Sequence, residues 1–489
     1  MKILSKNGNE LIMLAMKTDT ASKGDYLIIE DEKSKRKMIV QIYDEEYLSS
    51  QSLIEDIVKD EVVTASSIEN LHDPLNIGNI SKIIRDARVF RVKIRATIDL
   101  SGKLSSDVTW LPSRVYSTVR RLSISELDTF TQRSGVFPIP IGKARGDDED
   151  FEVYAEDLDG KLNIITGKKE SGKSHLSKIL VKTLVQHGAF VIVFDLNNEY
   201  GGLAWNSDGS PSSIHEQIMV LEPGHGLTFS LAYCGKSAMY NMLKNALDMP
   251  AASLREFFRI WDYLENKQTL EVGSFGKAIN TWNINELVRD ALISRYHVIQ
   301  SSHLFSNNSN EDGIKFEEII SKKRKGASVI ISMGKATATA RRMIVELVLS
   351  KLIDLLEKME IPPIFLFAEE AHLYVRDTYW EDIITRMRHF GIYTTFVTNQ
   401  PDAIGDGIYR QVDNIFLFNF TNDTDLDKIS KVSLADNETI RSIVRTLPQR
   451  YCLSIGKVVY DLPIVVKIAS AEVLTLGETK KFFGCVSKC

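Results

Sequence analysis

Long apolar runs, paired cysteines and a strong charge of one sign are all missing from this chain of 489 residues. No stretch approaches the about 18 consecutive apolar residues that a membrane helix requires, so no spanning segment and no membrane partner are expected. The opening Met1-Lys2-Ile3-Leu4-Ser5-Lys6 carries early charges but no apolar block or small-residue cleavage site comes after it, so a secretory leader is not expected and the expected compartment is the cytoplasm. The four cysteines, Cys234, Cys452, Cys485 and Cys489, form no paired CxxC sets, so neither a structural zinc site nor a disulfide framework is indicated. Cys485 and Cys489 read as incidental thiols on a frayed tail. The net charge of −5 excludes a uniformly basic, nucleic-acid-coating surface but leaves room for a locally basic channel. There is no internal repeat and no low-complexity tract.

What is present is an ordinary globular balance, 44% hydrophobic and 26% charged, in a chain too long for one core. The N-terminal part, residues 1–145, reads as β: Gly24-Asp25-Tyr26-Leu27-Ile28-Ile29-Glu30 and Arg36-Lys37-Met38-Ile39-Val40-Gln41-Ile42-Tyr43 flank a charged turn. The run Val89-Phe90-Arg91-Val92-Lys93-Ile94-Arg95-Ala96-Thr97-Ile98 alternates basic and apolar residues, the pattern of a strand with one solvated face. A small β-barrel is the expected outcome, with residues 142–150 as the joint to the rest of the chain. From there strands and helices alternate, which predicts an α/β core with a parallel sheet. Its first part spans 146–235 and its second part, with a C-terminal tail, spans 323–489. Between them, 236–322 carries helical periodicity and reads as a helical insertion.

The segment Gly167-Lys168-Lys169-Glu170-Ser171-Gly172-Lys173-Ser174 fits the phosphate-loop pattern GxxxxGK[ST] and lies between a strand, Leu162-Asn163-Ile164-Ile165-Thr166, and a helix predicted over 175–186. Glycines there let main-chain N–H groups turn inward around an anion, and the following helix adds its positive end. The nucleotide-binding set is therefore Gly167 through Ser174 together with His175, with Lys173 on the β- and γ-phosphates of ATP and Ser174 on Mg²⁺. The apolar strand Ile364-Phe365-Leu366-Phe367-Ala368 delivers Glu369-Glu370-Ala371-His372. Glu369 is suited to hold the metal and Glu370 to polarise the attacking water. His372 reads either as a structural histidine or as a link between hydrolysis and partner contacts. Asp195 and Glu199, in Asp195-Leu196-Asn197-Asn198-Glu199-Tyr200, close another strand; Glu199 either helps position water or metal or belongs to a polar turn. Gln400, after Thr398-Asn399, can sense a γ-phosphate because an amide both donates and accepts. Arg386 and Arg388 are candidates for an arginine offered to a neighbouring subunit's nucleotide, with Arg341 and Arg342 behind them; the alternative for each is an ordinary surface cation. Lys322-Lys323-Arg324-Lys325 reads as a solvated turn or as the lining of a DNA channel.

Taken in order, the phosphate loop, Asp195 with Glu199-Tyr200, Glu369-Glu370-Ala371-His372, Arg388-His389-Phe390-Gly391 and Thr398-Asn399-Gln400-Pro401 resemble the HerA-type ATPases of the HerA/FtsK superfamily. The resemblance covers about residues 162–468 and extends more weakly to the N-terminal barrel, which is similar to a HAS-barrel. It implies a RecA-like P-loop NTPase core, a homo-hexameric ring around double-stranded DNA, ATP-driven translocation, and partnership with a NurA-like nuclease in DNA end resection and repair. It also implies Glu370 as the catalytic glutamate, Gln400 as the sensor and Arg388 as the arginine acting in trans, with Lys173 and Ser174 on nucleotide. This chain departs from the pattern in its Lys-Lys-Glu-Ser loop interior, in Glu369 where relatives often carry Asp, and in Phe418-Asn419 where many place an arginine. A second expectation is a ring-forming ATPase scaffold that activates a partner effector, a nuclease or an NAD-hydrolase, in anti-phage defence. A third, a secretion or conjugation ATPase, calls for membrane association.

Overall fold

The computed structural model describes residues 1–49, 85–99, 102–105, 107–131, 134–146, 150–306, 313–374, 386–432 and 435–476; Cys485 and Cys489 lie outside them. The chain divides into two compact units, one of Met1–Tyr154, Lys168–Gly172 and Ile415–Ala469, the other of Ala155–Gly167, Lys173–Asn414 and Ser470–Cys489.

In the first unit an antiparallel sheet runs in the order Lys2–Asn7, Glu10–Ala15, Arg88–Ile98, Lys37–Tyr47, Tyr26–Asp31, Ser117–Arg121, with Leu104–Ser105 beside Arg88–Ile98. Leu27, Ile29, Met38, Val40, Phe90 and Val92 face one core, as the period-two alternation demands. Register shifts at Ile39/Val40 and Ile42/Asp44 increase local twist, and the expected small barrel takes the form of a curled half-barrel. The basic face of Arg88–Ile98 is only partly solvated: Arg91 is exposed, whereas Lys93 and Arg95 are covered. Arg95 reaches Asp436 and Thr439, each at 2.9 Å, and Lys93 pairs with Glu438 at 2.8 Å, so the helix Asn437–Arg445 lies over it. A basic row opposite an acidic helix start reads from sequence as solvated because its partner lies more than 300 residues away.

The expected joint at 142–150 is partly strand. Pro138–Ala144 pairs with Asp150–Tyr154 and with Ile464–Ile468, all antiparallel. Gly142 is required where the strands cross most closely: a Cβ there would stand 2.0 Å from the Lys467 carbonyl oxygen.

The second unit is built on a parallel sheet in the order Gly226–Leu227, Ile218–Pro223, Ala327–Ser332, Phe190–Asp195, Ile364–Glu369, Ile392–Thr398, Asn163–Thr166. Ala327–Ser332 and Asn163–Thr166 are buried throughout, as strands covered on both faces must be. Between Gly226–Leu227 and Ala327–Ser332 the chain forms the helices Leu231–Asn241, Ala251–Asn266, Val272–Thr281, Glu286–Ser301 and Phe316–Lys322. Phe257 stacks on Phe275 at 4.5 Å, with Trp261 beside them. This group meets the long helix Ala338–Glu357 through a polar seam, Asn241 to Ser350 at 3.0 Å and Asn245 to Glu346 at 3.3 Å.

Candidate nucleotide and catalytic site

Parallel strands all present their C-terminal ends on one edge, and a crevice outside that edge is where ligands bind in such sheets. Here Asp195, Glu369 and Thr398 each end a strand on that edge. Ala368 is in register with Phe194 and Glu369 with Val397, which sets the acids side by side.

The helix Lys173–Gln186 starts two residues before the predicted 175, so Lys173 and Ser174 are its first residues and carry its unpaired N–H groups. Lys173 is buried, and its Nζ donates to the Gly167 carbonyl at 2.8 Å. Burial pushes its ammonium below the usual lysine range, opposed by the carboxylates of Glu370, Glu369 and Glu199. Ser174 and His175 are half-buried in the first turn.

Around Asp195 the sequence folds into a tight acid cluster. Its carboxylate accepts the main-chain N–H groups of Glu199 at 3.1 Å and Tyr200 at 2.9 Å. Burial pushes its pKa up, and those two hydrogen bonds oppose the shift. Glu199 is claimed by Lys178, Nζ to Oε2 at 3.1 Å, and both side chains are largely covered. Tyr200, fully buried, donates to Ser177 at 2.7 Å. Lys178 and Ser177 are not among the expected site residues, and Tyr200 enters there only beside Glu199, with no role of its own. They lie at i+4 along the helix or just past an acid, a signal too common to single out.

Glu369 is 2% exposed, and its Oε2 is buried with no hydrogen-bond partner among the described residues. Burial pushes its carboxyl far above the usual range, and Glu199, Asp195 and Glu370 push the same way. An orphaned, buried carboxylate oxygen near further acids is the donor set a hard divalent cation uses. The residues therefore fit Mg²⁺. Its main-chain carbonyl accepts the Tyr374 hydroxyl at 2.7 Å.

Glu370 is left-handed, φ 48° and ψ 43°, a conformation that costs a non-glycine residue about 1–2 kcal/mol. The short turn after it closes through Leu373 N–H on the Glu370 carbonyl, 2.9 Å, and Tyr374 N–H on Ala371, 3.1 Å. His372 is buried, with Nδ1 3.3 Å from Glu370 Oε2 and 3.1 Å from Thr398 Oγ1. Gln400 is exposed just beyond, its N–H on Thr398 Oγ1 at 3.0 Å.

The arginine candidates stand apart from these acids in their contacts. Arg388 binds Asp413 at 2.6 Å and the Gln411 carbonyl at 3.1 Å. Arg386 is exposed over the Phe390 ring, Arg341 donates to the Met333 carbonyl at 3.3 Å, and Arg342 is exposed at the start of Ala338–Glu357. In Lys322–Lys325, Lys322 pairs with Glu318 at 3.5 Å and Lys323 reaches the Glu216 carbonyl.

The loop interior, Lys168–Gly172, groups with the first unit. There its main chain is pinned: Lys168 N–H to the Asn419 carbonyl at 2.9 Å, Arg450 N–H to the Ser171 carbonyl at 2.8 Å, Gln449 Nε2 to the Glu170 carbonyl at 3.0 Å. The side chains of Lys168, Lys169 and Glu170 are exposed, whereas Ser171 is buried. Glu170 and Gly172 have φ of 63° and 120°, turns that aim successive N–H groups inward.

Residues 164–353 match the family model described as Helicase HerA, central domain. The DNA double-strand break repair helicase HerA of Saccharolobus solfataricus is 21% identical over 443 residues, 85% of each chain. The plasmid coupling protein TrwB in complex with the GTP analogue GDPNP shares the fold at a TM-score of 0.52 and 12% identity, over 74% of this chain and 95% of that one. TrwB with the ATP analogue ADPNP gives 0.51 and 14% over the same shares.

Proposed function

From its place among the HerA-type ATPases, we propose that the chain is a cytoplasmic motor that assembles as a homo-hexamer and moves along double-stranded DNA by hydrolysing ATP with Mg²⁺. We assign it a NurA-like nuclease as partner in DNA end resection and repair. One observation carries the reading: a buried lysine, an orphaned buried carboxylate and a strained glutamate converge at the C-terminal edge of one parallel sheet.

Lys173 offsets phosphate charge on the nucleotide held by residues 167–175, and its N–H-bearing first turn adds the helix dipole. Ser174 and Glu369 hold Mg²⁺, which when bound neutralises charge developing on the phosphates. Glu370 accepts the proton of the attacking water, and Gln400 orients that water. Asp195, Glu199 and Lys178 fix the acid edge behind them. Arg388 acts across the subunit boundary, which requires it to leave Asp413.

The test is ATP turnover of the native particle across a titration of linear duplex DNA, together with its mass. Stimulated turnover by a six-fold particle is expected. Flat turnover at saturating duplex refutes translocation, and turnover that responds only to a co-expressed effector points to the scaffold alternative.

A further inference from the structure

Glu370 and Gln400 lie on neighbouring strand ends, and a single buried imidazole stands between them. His372 Nδ1 is 3.3 Å from Glu370 Oε2 and 3.1 Å from Thr398 Oγ1. Thr398 Oγ1 in turn accepts the Gln400 N–H at 3.0 Å and lies 3.3 Å from the Gln400 carbonyl oxygen. A hydroxyl has one proton; Thr398 uses it on the Gln400 carbonyl while receiving the Gln400 N–H. With the hydroxyl proton used there, Nδ1 is the donor to Thr398 Oγ1, and the same ring N–H faces the Glu370 carboxylate.

We propose that His372 and Thr398 are positioning residues that tie the orientation of the Glu370 carboxylate to the Gln400 turn. The contact to Glu370 is not aligned well enough to count as a hydrogen bond, since Oε2 has no such partner among the described residues. Catalytic hydrogen bonds commonly tighten only when substrate is bound. The main chain leaves the carboxylate little choice of anchor: Glu370 is held left-handed by the turn closed at Leu373 and Tyr374, with the Tyr374 hydroxyl on Glu369. Such strain persists only where the surroundings over-determine it. The backbone is thus fixed by this turn, and the His372 ring is the group set beside the carboxylate. Movement of the Gln400 turn pulls Thr398 and, through the ring, the carboxylate. This role rests on the reading of Glu370 as the base and Gln400 as the sensor.

Steady-state ATPase assays on the full assembly test it. His372→Ala lowers kcat by about 10- to 100-fold, the scale of a misplaced catalytic group, with KM for ATP within about threefold. His372→Asn, which sets an amide N–H where Nδ1 stands, restores kcat to within about threefold of wild type. Thr398→Val, which keeps the shape and removes the hydroxyl, falls as His372→Ala does, and the double variant falls no further. A purely structural histidine predicts the opposite: Ala and Asn equally impaired, with lowered melting temperature and KM changed alongside kcat. That outcome, or wild-type turnover in His372→Ala while Glu370→Gln is inactive, overturns the relay alone. Wild-type turnover in Glu370→Gln overturns the relay and the base assignment together.

Discussion

Glu346 offers the sharpest thermodynamic test, because it is a carboxyl sealed inside the helix Ala338–Glu357 with an amide as partner, Asn245 Nδ2 donating to Oε2 at 3.3 Å. It is 7% exposed. Burial pushes its pKa from 4.5 to about 7, and the Asn245 bond opposes the shift. Below 4.5 both folded and unfolded chains carry the proton, and the group's stabilising contribution is intact. Between 4.5 and about 7 only the folded chain keeps the proton, so each pH unit removes about 1.4 kcal/mol. Above that window both forms are ionised and the loss levels off at about 3 kcal/mol. Glu346→Gln retains an acceptor for Asn245 and abolishes the titration. At pH 8 the variant should therefore be more stable by about 3 kcal/mol, or roughly 6–12 °C in melting temperature for a cooperative unit of roughly 200 residues. At about pH 5 the advantage should shrink below about 1 kcal/mol. Thermal melts of wild type and variant at both pH values measure it. A gain of equal size at both, or none at pH 8, refutes the argument that ionisation of this carboxyl is what costs stability.

Three further outcomes are expected from the site. Gly172→Ala would place a Cβ 3.1 Å from Arg450 Cα and Phe418 Cε1 at a φ of +120°; a fluorescent-nucleotide titration should show affinity lowered by at least about tenfold, and unchanged affinity would show that the pinned loop is not needed. Because burial holds Glu369 and Asp195 toward their protonated forms, and a cation restores the ionised forms, binding of Mg²⁺–nucleotide should release protons. Calorimetry in buffers of different ionisation enthalpy reads this, and identical apparent enthalpies would contradict it. Arg388→Ala should leave nucleotide binding intact, stop turnover, and change stability by less than about 1 kcal/mol since its ion pair is partly exposed; mixing it with Lys173→Ala protein should restore part of the turnover, and no restoration would remove the trans role.

The parts of the fold that depend on local pattern are legible in the residues alone. Ala327–Ser332 and Ile364–Glu369 are apolar runs of strand length, and the phosphate loop carries its own glycines between strand and helix. Ile218–Pro223 and Gly226–Leu227 at the sheet edge do not stand out, because Ile218-Met219-Val220-Leu221 is a short run whose partner, Ala327–Ser332, arrives a hundred residues later. The cover on the basic strand is hidden for the same reason: Arg95 finds Asp436 341 residues on. In the site, residue types with one dominant use, Lys173 and the glutamate pair, stand out. Lys178, Tyr200, Thr398 and Tyr374 do not, because a lysine on a helix or a hydroxyl at a strand end acquires meaning only from what the fold sets beside it.

The loop interior shows how sequence and packing divide the work. The side chains of Lys168, Lys169 and Glu170 are exposed. Their main chain is instead held by Asn419, Gln449 and Arg450. Asn419 is itself anchored: its Nδ2 lies 3.3, 3.1 and 2.9 Å from the carbonyls of Val444, Arg445 and Leu447, at and just past the end of the helix Asn437–Arg445. The Arg445 carbonyl is among those a helix end leaves open, so Asn419 caps this helix end and grips the loop at once. The opposite end of the helix carries Asp436, bound to Arg95 of the N-terminal sheet. The shape of the loop interior is therefore set by carbonyls and N–H groups tied, through one helix, to that sheet.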